Sequence, residues 1–552
     1  MYTYDTETSN DGCEAWIWSW ALCSEQMDVR TGNGLDVMSI FGVLEDGAEV
    51  WVHNLPYDGE FLTWELHAAG YKLRYDVPPM DRQHGVYTIL SDTSGIISMD
   101  VYTLGRRVTL RDSNRIFRAP LRKLPKICGF AGEVTKGELD YEPQRPRDHV
   151  KTPEELDYQV RDVKVLMRAM LWVRSHADEG NTIGSIAVHE WRSTLGNKSP
   201  FDPLTLDQRV AYRSLYNGGI VYCPPAWAGK LRVGAGRVYD RNSMYPAEMI
   251  KPLPVRIIER VHGSAPISRP GCWALHVQAQ GLQLKHDGFP LLITPFTGSG
   301  RSSIDVLERW LYDEELQAIT EEYNIKSLKV IGALHFDEQV IAADFVAKWY
   351  RVKSTEPERR SYAKYVLNNL SGKWGESPIH EQVRRTVAAD GSYVQYRYND
   401  IDKELNRWAY MPAVARVTSN SRLQLRDAVI KSGRTNLWYT DTDSVHTTGE
   451  LPADMIDPVR LGAWDLETTF DAARYIKPKS YWESADGVTV SCKHAGVNDD
   501  ATLALWDDHA ETWIDTGEQI SALNMRSGAH YYTRRSRKCK GGIIIERSPK
   551  IM

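Results

Sequence analysis

Cysteine is scarce and unpatterned. Seven occur in 552 residues, at 13, 23, 128, 223, 272, 492 and 539, and no two have the spacing of a zinc site. An odd number fits a reducing compartment better than a disulfide framework, so all seven are expected to be structural. Long apolar runs are missing too. The nearest, "AWIWSWALC" at 15–23, is too short to cross a bilayer, and no membrane association is expected. Its tryptophans at 16, 18 and 20 predict a strand with one heavily buried face. The opening "MYTYDTETSN" lacks the basic and apolar regions of a secretory signal. Positive charge is not in excess either. The formal net charge of −6 disfavours a nucleic-acid partner unless the cations are gathered locally.

The bulk composition is ordinary. Hydrophobic residues make up 42% and charged residues 25%, as in a folded protein. The length exceeds what one core supports, so several domains are expected. The cations are indeed gathered. "HYYTRRSRKCKGG" (530–542) carries Arg534, Arg535, Arg537, Lys538 and Lys540. "KWYRVKSTEPERRSYAKYVLNNLSGKW" (348–374) sets basic residues among aromatics on a helical pattern. Either stretch could be a solvated face; together they point to a local anionic partner.

Acids are gathered as well. In "YDTETS" (4–9), Asp5 and Glu7 stand at i and i+2, on one face of a strand. "HNLPYDGEFL" (53–62) follows the strand-like "EVWVHN" and adds Asp58. "EELDYQVRDVKVLMRAM" (154–170) reads as an amphipathic helix with Tyr158 and Asp162 one turn apart. Singly, Asp58 could cap a helix, Tyr158 and Asp162 could be an ordinary pair, and His53 a packed histidine.

As an ordered set, Asp-x-Glu, Asn-x-x-Tyr-Asp and Tyr-x-x-x-Asp resemble the motifs of the DEDD 3′–5′ exonucleases. The resemblance implies that Asp5, Glu7, Asp58 and Asp162 hold two Mg²⁺ or Mn²⁺ ions, hard cations that take carboxylate and water ligands. It implies that Tyr158 orients the attacking water. His53, Asn54, Tyr57 and Phe61 would hold the terminal nucleotides, and Lys136 in "VTKGELDY" would neutralise phosphate charge.

Three further segments follow. "VYDRNSMYPAEM" (238–249) reads as a strand ending at Asp240, a turn and a helix start. "KYVLNNLSGKWG" (364–375) reads as a helix with Lys364 on the side of Asn368 and Ser371. "YTDTDSVH" (439–446) sets two aspartates one residue apart, where they repel unless something positive holds them. In this order the three resemble motifs A, B and C of family B DNA polymerases. The resemblance implies metal ligation by Asp240 and Asp443 from adjacent strands, again with two ions, supported by Asp441. Lys353, Arg360 and Lys364 would face the triphosphate from one face of a fingers helix, with Asn368 beside them. Tyr245, flanked by Ser243 and Met244, would lie under the sugar and exclude a 2′-hydroxyl.

Other segments resemble the protein-primed branch found in bacteriophages with linear genomes. "LYNGGIVY" (215–222) supplies Tyr216, Gly218 and Gly219, whose glycines would let the backbone approach DNA. Lys479 and Tyr481 resemble a primer grip, and Ala415-Arg416 in "VARVTS" a template or triphosphate contact. "APLRKLPKICGF" and "KHAGV" match as well. The chain departs from the branch at Ser371, where tyrosine is usual, at Asn369 for serine and at Pro412 for threonine; Trp374 is the ring expected to check the base pair instead.

The implied fold is multidomain α/β. A ribonuclease H-like exonuclease would span 1–180. A right-hand polymerase would follow, with palm at 181–250 and 405–499, fingers at 344–376 and thumb at 500–552. Insertions are expected at 251–343, and at 377–404 where "SYVQYRYN" alternates like a strand. The expected partners are primer–template DNA, deoxynucleoside triphosphates and a terminal priming protein. The expected setting is a monomer in a bacterial host's cytoplasm. The competing readings are a DNA-primed family B polymerase, a non-catalytic nucleic-acid-binding derivative, and a nuclease with a vestigial polymerase half.

Overall fold

The computed structural model describes the chain apart from residues 76–84, 133, 134, 138, 141, 142, 177–179, 264–269, 295–297, 388–392, 402–405, 495–531 and 550–552. Most of "KHAGV" and residues 500–531 of the expected thumb therefore lie outside the described residues. Among the described residues no helix is long and apolar enough to cross a membrane.

An eight-stranded mixed sheet forms the first layer. Its order is Val29–Asn33, Ala15–Ser24, Tyr2–Asn10, Glu49–Val52, Arg106–Asp112, Gly95–Thr103, Val86–Asp92 and Lys72–Leu73. Tyr2–Asn10 runs antiparallel to Ala15–Ser24 and parallel to Glu49–Val52. Helix Pro153–His176 packs on the first two of these partners, and helix Leu55–Ala68 on Gly95–Thr103. The tryptophans at 16, 18 and 20 do not share one buried face. The register shifts so that Glu7 faces Ser19 and Thr8 faces Ile17, leaving Trp18 as an inserted residue that resets the alternation. Ile17, Trp20 and Leu22 pack into one core, while Ala21 and Cys23 meet Val163 and Met167 of the long helix. The strand is buried on both faces.

The second layer is a seven-stranded antiparallel sheet, ordered Val488–His494, Ser480–Ala485, Trp464–Lys477, Leu231–Arg241, Ser444–Thr447, Leu437–Asp441 and Val221–Tyr222. Helix Met411–Lys431 packs against it. Residues 253–339 build a separate four-stranded sheet with helix Asp313–Glu322. Two hairpins, Ile379–Val387 with Tyr393–Ile401 and Tyr532–Cys539 with Gly542–Pro549, form two-stranded sheets of their own that contact the first layer.

Between the layers lie helices Ala343–Thr355 and Arg360–Trp374. Lys353 and Arg360 are thus on two helices, not one. Pro357, lacking an N–H donor, stands in the break between them. One apolar cluster gathers Trp51 and Phe117 from the first layer, Leu166 and Met170 from the long helix, and Trp191, Trp349, Trp374 and Trp408. It ties the first layer to the helices beside the second.

Candidate active sites

Strand Leu231–Arg241 brings Asp240 to a cleft of about 690 Å³. Across the sheet Asp240 stands opposite Ser444, and the Arg241 N–H donates to the Asp443 carbonyl at 2.8 Å. Backbone pairing therefore keeps Asp240 and Asp443 together. Asp443 is in a turn, not on a strand. Thr442, before it, has φ 60°, a left-handed conformation that β-branched residues avoid. Its N–H is held by the Ile220 carbonyl at 2.8 Å. The kink parts the two acids of "DTD". Asp443 lines the cleft, whereas Asp441 meets Lys479 Nζ at 2.5 Å. Repulsion in the turn is relieved by that parting and by one lysine.

Burial, then the charges of Asp443 and Glu467, pushes Asp240 up to about 8. Burial, and after it the Asp441 charge, raises Asp443. Facing them are Lys353, Arg360 and Lys364, with Asn368, Ser371 and Tyr245. Lys353 Nζ donates to Ser243 Oγ at 2.7 Å, and burial beside Arg360 and Lys364 lowers its pKa. Adjacent carboxylates that resist ionising alone, opposite a cationic wall, fit a hard divalent cation together with a polyanion.

A second cleft, of about 500 Å³, opens on the first sheet. Asp5 and Glu7 alternate on strand Tyr2–Asn10, and Asp162 reaches them from helix Pro153–His176. Ligand oxygens of the three lie within 4.8 Å of one another. Asp58 lines the same cleft and accepts from the Thr6 N–H at 3.3 Å and from Thr6 Oγ1. Burial raises all four acids. Glu7 reaches about 8, with the Asp162 charge next in weight, and Asp58 reaches about 7 against the pull of its Thr6 bonds. Lys136 Nζ sits 2.8 Å from Asp162 and 5.3 Å from the centre of the Tyr158 ring. An all-oxygen set with crowded, buried charge fits Mg²⁺ or Mn²⁺.

A sequence model of the family described as DNA polymerase type B, organellar and viral, matches residues 132–422. The chain belongs to the type B DNA polymerases. Its activity is DNA-directed DNA synthesis, which depends on divalent cations. The polymerase is 28% identical to the DNA polymerase of Bacillus phage Nf over 508 residues, covering 87% of this chain and 85% of that one. It is also 28% identical to that of Bacillus phage phi29, covering 87% and 86%, and 25% identical to that of Streptococcus phage Cp-1, covering 91% and 87%. In fold it is similar to Phi29 DNA polymerase solved with primer-template DNA and incoming nucleotide substrates, with a TM-score of 0.86, 23% identity and 99% of each chain covered.

Several residues singled out in the polymerase's sequence have other work in its structure. His53 borders the second cleft, but both ring nitrogens are engaged, with Ser113 Oγ at 3.0 Å and the Ala119 carbonyl at 2.9 Å. Burial holds its pKa down to about 4. Phe61 is 1% exposed and packs in the core beside Tyr57 rather than lining the cleft. Arg416 makes a bidentate pair with Glu314 at 2.6 and 2.8 Å, which turns it to the 253–339 unit and away from the first cleft. Trp374 is fully buried among Trp191, Phe201 and Trp408 and cannot stack on a base pair. A Cβ on Gly219 would come within 2.5 Å of Thr442, so the close approach this glycine permits is to the turn between Asp441 and Asp443; Gly218 faces open space. The C-terminal cations meet the protein's own groups. Lys538 pairs with Glu60, Lys540 with Glu14, and Arg537 bonds the Gly12 carbonyl, while the side chains of Arg534 and Arg535 lie outside the described set.

Asn54 (φ 78°) and Tyr57 do line the second cleft, and Tyr216, Ser243 and Met244 the first. Tyr481 packs on Tyr439, whose hydroxyl accepts from the Lys479 N–H at 2.8 Å. Two acids of the first cleft escaped the sequence reading. Asp465 and Glu467 line it from strand Trp464–Lys477, and Asp465 lies across from Asp240. Their i, i+2 spacing is the signal that revealed Asp5 and Glu7.

Proposed function

We propose that this polymerase extends a hydroxyl supplied by a terminal protein and trims the product from its 3′ end. Two Mg²⁺ ions would serve each site, held by Asp240 and Asp443 for synthesis and by Asp5, Glu7, Asp58 and Asp162 for 3′–5′ hydrolysis. Such ions activate the attacking oxygen and stabilise the leaving one. The protein's own groups do the rest. Lys353, Arg360 and Lys364 bind and orient the triphosphate, with Asn368 alongside. Tyr245, set beside Ser243 and Met244, crowds the 2′ position of the sugar. Lys479 and Tyr481 steady the primer end, and Tyr216 with Gly218 the template side. Asn54 and Tyr57 hold the frayed end at the second site, where Lys136 screens phosphate charge and Tyr158 orients water.

On this reading 1–180 is the exonuclease, 181–250 and 405–499 the palm, 344–376 the fingers and 500–552 the thumb. Residues 251–343 receive the priming protein. The 377–404 hairpin and the thumb hairpin flank the duplex, which gives strand displacement. The enzyme works as a monomer in a bacterial host's cytoplasm.

The observation that carries the reading is the pair of buried carboxylate clusters in separate clefts. The test is primer extension with Mg²⁺ by the wild type and Asp443→Asn, with and without a candidate terminal protein. Asp443→Asn should lose roughly a thousandfold in extension and still degrade single strands; Asp5→Ala should do the reverse. Labelled deoxynucleotide transferred to the protein without a DNA primer establishes the priming mode. Loss of both activities in either variant refutes the two-site reading.

A further inference from the structure

Glu60 is a buried acid that neither cleft uses. It stands on helix Leu55–Ala68 and is 4% exposed. Two residues beyond Asp58, it points to another side of the helix. Two cations from distant parts of the chain meet it. Arg385, in hairpin strand Ile379–Val387, places Nη2 2.7 Å from Glu60 Oε1. Lys538, in strand Tyr532–Cys539, places Nζ 3.2 Å from Oε1 and 3.1 Å from Oε2. Arg385 is as buried as the acid, at 3%.

Each hairpin also has contacts of its own with the first layer, and Ile544 of the second hairpin packs into that layer's core. The Arg385 N–H donates to the Tyr75 hydroxyl, and Ser91 Oγ to the Val383 carbonyl, both at 2.5 Å. The Ala15 N–H donates to the Lys540 carbonyl at 2.9 Å, and Lys540 pairs with Glu14 at 2.6 Å. Among the described residues, Glu60 is the acid that pairs with both hairpins. Glu60 thus sets one carboxylate against both the buried Arg385 guanidinium and the half-exposed Lys538 ammonium, and an ion pair shielded from water is strongly weakened when its charge partner is removed.

We propose that Glu60 is a positioning residue for processive synthesis: by holding Arg385 and Lys538 together it locks the two hairpins to one helix and keeps the duplex between them enclosed. This rests on the reading above that the hairpins flank the duplex. Glu60 does not touch substrate, so its loss leaves a single addition intact and acts on how long the enzyme stays bound.

The test compares full-length wild type, Glu60→Gln and Lys538→Met on a primed single-stranded circle with excess trap DNA. Single-nucleotide addition and degradation of a short single strand are measured beside it. Product length per binding event should fall by about tenfold or more in Glu60→Gln and by less in Lys538→Met, which leaves the Arg385 pair. The other two activities should stay within about twofold. Unchanged product length in Glu60→Gln overturns the proposal, as does an equal fall in all three activities, which is the mark of general misfolding. A wild type that releases DNA after each addition overturns instead the enclosure on which it rests.

Discussion

Thr442 is a β-branched residue held at φ 60° between two acids, and such strain persists only where its surroundings enforce it. Here they are the Ile220 carbonyl and the bare Cα of Gly219. A methyl at Gly219 would collide with Thr442, so Gly219→Ala should lower the nucleotide-addition rate by roughly ten- to a hundredfold, with little change in single-strand degradation. Rapid-quench measurement of both activities checks it. Asp240 carries a different cost. A carboxyl at about 8 in the fold, against an ordinary 3.8, favours the neutral form. Its destabilising effect is absent below about pH 4, grows between 4 and 8, and is complete above 8. In EDTA, Asp240→Asn should therefore be more stable than wild type by roughly 1–3 kcal/mol at pH 8 and equal to it near pH 4. Urea unfolding at the two pH values reads this directly.

Helix Asp313–Glu322 and helix Met411–Lys431 are joined by charge. Glu314 pairs with Arg416, Glu315 with Arg422, and Glu321 and Glu322 with Arg426. The Arg422–Glu315 pair is fully buried, and Arg422 also donates to the Asn217 and Gly218 carbonyls at 2.5 and 3.0 Å. The 253–339 unit is thus wired to the loop that packs against the Thr442 turn. Breaking a buried pair leaves an uncompensated charge, so Glu315→Gln should cost about 3–5 kcal/mol. The double change Glu315→Leu with Arg422→Met should recover most of that stability while leaving the 216–219 loop without its donor. Unfolding midpoints and nucleotide-addition rates on the wild type and the two variants separate the two effects.

At the scale of the molecule, the apolar cluster around Trp191, Trp349 and Trp374 runs on into Phe117, Leu166 and Met170 of the first layer. A fragment cut at residue 180 would expose one side of it, and an apolar patch of that kind invites association. Residues 1–180 made alone should bind a hydrophobic dye and self-associate, and adding the complementary piece should suppress both. Dye fluorescence and light scattering decide this. The same continuity explains why Trp374, placed by its spacing where a stacking ring was expected, was drawn into the core instead.

The sequence by itself determined which atoms could do chemistry. Two-residue spacing on a strand dictates which carboxylates share a face, and Asp5 and Glu7 were legible for that reason; Asp58, Asp162, Asp240 and Asp443 were legible through the ordered motifs that resemble those of known exonucleases and polymerases. Asp465 and Glu467 obeyed the same rule and were legible in principle. Tertiary structure alone decided where each charge is spent: Asp441 on Lys479, Arg416 on Glu314, the His53 ring on Ser113 and Ala119, and Glu60 on two hairpins. Partners from 38 to 478 residues apart are chosen by packing and burial. A local pattern cannot encode them, because the energy of an ion pair depends on what excludes water around it.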